Sequence, residues 1–123
     1  MNNTDNGRMP AIFVAHGAPP LLDDRGWVRE LDTWASGLPK PKAILVLSAH
    51  WEERPVTIGA TRTLPLIYDF SGFPAHHYEQ QYAAPGAPDL ADRIRTSLGA
   101  TQTVADDPER GLVAARDREV RLD

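Results

Sequence analysis

The sequence predicts an α/β domain. Three observations carry that expectation: two short, unbroken apolar runs at residues 11–15 and 43–47, a helix-period stretch between them, and an abrupt polar boundary after each run that delivers a histidine. An unbroken apolar run bounded by prolines reads as a strand buried on both faces, because it is too short for an ordinary helix. Strand, helix and strand with short connections form a βαβ unit, whose strands run parallel with a right-handed crossover.

Taken in order, residues 1–8 read as a disordered leader and 11–15 as the first strand, which delivers His16 and the loop Gly17-Ala18-Pro19-Pro20. Asp23 or Asp24 is placed to cap a helix over 24–36. Trp27, Val28, Leu31, Trp34 and Ala35 fall on one face of that helix, and Gly37 and Pro39 stop it. The second strand, 43–47, ends in Ser48-Ala49-His50-Trp51-Glu52-Glu53. The alternating stretch 55–60 suits a third strand, and the apolar stretch 64–70 runs into the turn Ser71-Gly72-Phe73-Pro74. Residues 68–82 are the most aromatic part of the chain. A helix starts at Asp89, carries Leu90, Ala91, Ile94 and Leu98 on one stripe, and closes at Gly99; 101–105 reads as a strand and 106–108 as a turn. Residues 113–123 are densely charged and suit a solvated helix with i,i+3 and i,i+4 pairs better than a further strand of a buried sheet.

Bulk properties narrow the function. A chain of 123 residues is one small domain or a piece of a larger one. A net charge of -4 with no basic run argues against nucleic acid. Without cysteine there is no disulfide framework and no thiolate metal site, so any metal must be held by His, Asp or Glu. The N-terminus lacks the apolar core of a secretory signal, and no window is long and apolar enough to span a membrane. The expected compartment is the cytoplasm.

Parallel strands end at one edge of their sheet, and open α/β sheets bind ligands at that edge. His16 and His50, each just past a strand, are therefore expected on the same rim, where strands about 4.8 Å apart let two imidazoles share one divalent ion. Glu52 could add a carboxylate, as in two-histidine, one-acid iron sites, whereas Glu53 reads as a solvated charge. His76 and His77 are adjacent in a proline-flanked aromatic loop, where side chains of neighbours usually diverge, and they read as loop packing. Ser48 sits in no G-x-S-x-G elbow, and no G-x-G-x-x-G or Walker loop supports nucleotide binding. Trp27 and Trp34 read as helix-face core; Trp51 either lines a pocket beside His50 or packs.

The strings Ile12-Phe13-Val14-Ala15-His16-Gly17-Ala18-Pro19, Pro41-Lys42-Ala43-Ile44-Leu45-Val46-Leu47-Ser48-Ala49-His50-Trp51-Glu52 and Ile67-Tyr68-Asp69-Phe70-Ser71-Gly72-Phe73-Pro74 resemble the class III extradiol ring-cleavage dioxygenases, most closely the 4,5-DOPA dioxygenase branch. The likeness continues through Tyr82–Ala91 and Asp107–Leu112, so it covers residues 9–112. It implies a three-layer α/β sandwich around a central, mainly parallel or mixed sheet. It also implies a mononuclear Fe(II) or Zn(II) site with His16 and His50 as the first two ligands, and a catechol substrate opened by dioxygen beside its two hydroxyls. After Gly111-Leu112 the family pattern continues with an Asp-His-Gly-x-Trp segment and further histidines, among them a ligand and an acid/base. Here Val113-Ala114-Ala115-Arg116 follows instead, so residues 113–123 are expected to lie outside the family pattern and the domain to be truncated.

Two other readings follow from the same residues. A non-catalytic remnant or interaction module would expose an unpaired sheet edge, a route to homo-oligomers or aggregation. A zinc hydrolase could use the same imidazoles to activate water.

Overall fold

The computed structural model describes residues 8–14 and 17–115. A short 3-10 helix, Pro19–Asp23, leads into helix α1, Arg25–Ser36. Strands β1 (Val56–Ile58) and β2 (Ile67–Asp69) follow, then a second 3-10 helix, Ala75–Glu79. Helix α2 (Pro88–Gly99) and strands β3 (Val104–Asp106) and β4 (Val113–Ala115) complete the order. Helices are mixed with parallel strands, so the class is α/β.

Local chemistry explains both helices. The Asp24 carboxylate accepts hydrogen bonds from the Gly26 and Trp27 N–H groups at 2.9 and 3.0 Å, satisfying two donors that the first turn leaves without partners. At the other end, the Gly37 N–H donates to the Trp34 carbonyl at 3.1 Å and closes the helix. Helix α2 opens on Pro88, whose fixed φ and missing N–H suit a first turn, with Asp89 at the positive end of the helix dipole. Its Arg95 donates to Asp92 and to Asp106 of β3, each at 2.6 Å. The hydrogen bond to Asp106 is the largest cause that raises the Arg95 pKa above its ordinary value.

The strands pair as two separate two-stranded parallel ladders. β1 runs beside β3, with Val56 opposite Val104, and β2 beside β4, with Ile67 opposite Val113. Parallel neighbours need long crossovers, and α2 lies in the β1-to-β3 connection. The chain also crosses itself at close range. Gly86 lies so near the Thr61 carbonyl that a Cβ there would overlap it, and a Cβ on Gly111 would come within 2.9 Å of the Pro65 carbonyl oxygen.

Four expectations need correction. Residues 11–14 and 43–47 form no strand. Neither run finds a hydrogen-bonded neighbour among the described residues, and a strand is defined by its ladder rather than by its own composition. The second run is therefore bared, with Ile44 66%, Leu45 56%, Val46 58% and Leu47 89% exposed. The α1 face is likewise not core, since Val28, Leu31 and Trp34 are 38%, 38% and 46% exposed. Residues 113–115, expected outside the sheet, pair with β2 as β4; 116–123 lie outside the described residues. Finally, the strands among the described residues form two ladders, where one central sheet was expected.

The packing is correspondingly open. Among the described residues only Pro19, His77 and Ala91 are buried. An aromatic cluster gathers in and after β2: Phe70 lies 4.7 Å from Tyr78 and 5.6 Å from Phe73 between ring centroids, and Tyr68 meets Phe70 edge-on at 5.9 Å. The Tyr68 hydroxyl donates to the Gln80 carbonyl, so the polar end of the ring is satisfied.

Candidate metal and substrate site

His50 sits in a turn made by its own neighbours. The Ser48 hydroxyl oxygen accepts the His50 N–H at 3.2 Å, and the Ser48 carbonyl accepts the Trp51 N–H at 3.3 Å. Ser48 is thus a turn-former, in keeping with the absence of a nucleophile elbow around it. The turn directs the imidazole toward β2, where Nδ1 lies 3.4 Å from the Asp69 carboxylate, with the His50 side chain 9% exposed. When Nδ1 carries the proton toward Asp69, the lone pair falls on Nε2, the nitrogen that binds metals in carboxylate-backed histidines.

Around this pair is a cleft of about 330 Å³ lined by Ala49, His50, Ile67, Asp69 and Arg110. The Arg110 guanidinium stacks over Trp51, 5.2 Å from the ring centroid, and its buried Nε has no hydrogen-bond partner among the described residues. Trp51 therefore packs as a platform for a cation. One wall is apolar, one carries a carboxylate-backed imidazole and one a guanidinium. That combination suits a flat ring with polar substituents. A larger, open depression of about 440 Å³ along α1 is lined by Gly26, Arg29, Glu30, Thr33 and Trp34 and offers no imidazole.

His16 lies outside the described residues, so its position relative to His50 is not part of this geometry. Glu52 joins no group of three prospective ligands among the described residues. Glu53 takes a long hydrogen bond from the Trp51 indole at 3.4 Å. Asp69 and Arg110, which sequence reasoning did not single out, are brought to His50 by β2 and by the loop before β4. His76 and His77 also depart from expectation: their rings lie 4.0 Å apart and both face Asp23.

No protein-family model matches the chain. Among curated proteins, it is 46% identical over 88 residues to a 4,5-DOPA dioxygenase extradiol of Escherichia coli (strain K12), covering 71% of this chain and 32% of that protein. The 4,5-DOPA dioxygenase extradiol of Beta vulgaris is 39% identical over 118 residues, covering 91% of this chain and 44% of the relative. That of Portulaca grandiflora is 37% identical over 108 residues, covering 83% and 40%.

The chain belongs to the extradiol dioxygenase family. It spans between about a third and less than half of the length of these relatives. Among extradiol dioxygenases the three relatives all carry the 4,5-DOPA name, in agreement with the branch that the motifs around His16, His50 and Asp69 resemble. No helix among the described residues of this family member is long and apolar enough to cross a membrane.

Proposed function

We propose that the chain forms the metal-binding part of an extradiol dioxygenase that opens a catechol-type ring, with His16 and His50 as two ligands of an Fe(II) or Zn(II) ion. The observation that carries this is the His50–Asp69 pair at the mouth of the cleft beside Arg110. The donor set fits a divalent ion: a neutral imidazole is a suitable ligand, and a carboxylate on its far nitrogen fixes the tautomer and increases its basicity. Iron(II), when bound, supplies the redox chemistry that joins dioxygen to an aromatic ring.

The chain's own residues supply the rest. Asp69 holds the Nδ1 proton of His50. Ile67 offers the apolar surface on which an aromatic ring rests, and Arg110 offers positive charge to a catecholate or to an anionic group on the substrate. Catechol and dioxygen are the substrates of this reading. Two imidazoles leave most of the coordination to water, so further ligands are needed for rapid turnover.

The test is anaerobic Fe(II) binding by equilibrium dialysis, followed by catechol and air. Wild type should bind iron weakly, and His50→Ala should abolish the part of that binding that remains in a His76→Ala background. Asp69→Asn, which keeps the shape but removes the charge behind the imidazole, should weaken binding ~10-fold. Absence of iron binding, or indifference to both substitutions, defeats the metal reading. Robust ring opening by the chain alone defeats the requirement for further ligands.

A second reading, an interaction module, is favoured by one observation: the bared apolar run 43–47. Its test is the association experiment described in the Discussion.

A further inference from the structure

We propose that Asp23, His76 and His77 form a second divalent-cation site, separate from His50, that takes a zinc-class ion and ties the two 3-10 helices together. Asp23 closes the helix Pro19–Asp23 and both histidines lie in the helix Ala75–Glu79, so residues 53 apart in sequence meet at one point. The prospective ligand atoms of the three residues all lie within 4.8 Å of one another.

The distances suit a ligand set as well as a hydrogen-bonded cluster. The Asp23 Oδ2 atom is 3.2 Å from His76 Nε2 and 3.3 Å from His77 Nε2. These lie at the long end of N–H···O bonds, which run to about 3.2 Å. Zinc bonds of about 2.0–2.2 Å put adjacent ligands of a tetrahedron roughly 3.3–3.5 Å apart. The two Asp23–histidine spacings match such an edge.

Burial is the independent observation. His77 is 1% exposed and is the largest fully buried side chain among the described residues, although an apolar residue would fill that place more cheaply. Phe73 meets its ring edge-on at 6.1 Å, Nδ1 has no hydrogen-bond partner among the described residues, and Nε2 meets Asp23. A buried imidazole with one nitrogen turned to a shared carboxylate is an arrangement suited to ligation. His76 and Asp23 have side chains 52% and 55% exposed, so the fourth position faces water. Three protein ligands and one open position complete a zinc-type set.

The test uses Co(II) alone, titrated anaerobically into the full chain and followed by the visible absorption of low-coordinate cobalt. Wild type and His50→Ala should develop the same band and lose it to added Zn(II). His76→Ala and Asp23→Asn should fail to develop it. Both substitutions fall on half-exposed side chains, so their far-ultraviolet circular dichroism should match that of wild type. No low-coordinate band in wild type, or a band that survives His76→Ala with undiminished intensity, overturns the site. A band that depends on His50 and not on His76 also overturns it, while supporting the His50 centre. The two proposals therefore fail separately.

Discussion

Gly86→Ala should destabilise the chain by about 3 kcal/mol, the upper end of the usual overpacking penalty. The reason is geometric. A Cβ at Gly86 would overlap the Thr61 carbonyl and crowd the Arg62 nitrogen, and both are backbone. A flexible side chain could swing aside, but a backbone carbonyl moves only with the segment that carries it. That segment joins β1 to β2, so relief at Gly86 disturbs the connection between the two ladders. Gly99→Ala is the matched control. It lies at the end of α2 with nothing within 4 Å of the new methyl group. There the same substitution should be neutral or stabilise by up to ~1 kcal/mol through helix propensity and unfolded-state entropy. Urea denaturation of the two variants beside wild type is the measurement. Equal midpoints for Gly86→Ala and wild type would mean that the crossing at Thr61 is not tight.

The second large effect is on association. The run 43–47 presents four branched aliphatic side chains to water, each more than half exposed, and Phe13 is 99% exposed. Fully burying one such side chain is worth about 1.5–3 kcal/mol. Association costs an estimated 4–15 kcal/mol in lost freedom, so covering one run is marginal and covering two runs across a symmetric contact is favourable. Backbone N–H and C=O groups along the run, without partners among the described residues, add a strand-pairing template. The wild-type chain should therefore dimerise or aggregate as its concentration rises. Ile44→Lys combined with Leu47→Lys should keep it monomeric, because two lysines on each copy would have to meet across the contact. Sedimentation velocity over a hundredfold concentration range distinguishes the outcomes. A wild-type chain that stays monomeric throughout argues against the interaction-module reading.

Both helices were legible because their signals are local. Asp24 and Gly37 bracket α1, Pro88 and Gly99 bracket α2, and an apolar stripe with the 3.6-residue period runs between. The strands were legible only in part. β1 falls inside 55–60 and β3 overlaps 101–105, whereas β2 lies in 64–70, which read only as an apolar stretch, and each ladder is three residues long because pairing sets the ends. The run 43–47 looked most strand-like of all and is not a strand, since composition cannot supply a neighbour. β4 was overlooked because the charges that follow it dominate the reading of that segment. Of the candidate site, His50 could be picked out from its position after an apolar run. Its carboxylate could not, because Asp69 lies 19 residues away.

The sequence by itself determined where the two α-helices begin and end to within a residue or two, the family, and the histidines available for ligation, because caps, periodicity and motifs act within a few residues. Tertiary structure alone decided which strands pair, that Asp69 backs His50, and that Asp23 gathers His76 and His77. Those meetings depend on where separate segments come to rest in space, which no local pattern encodes.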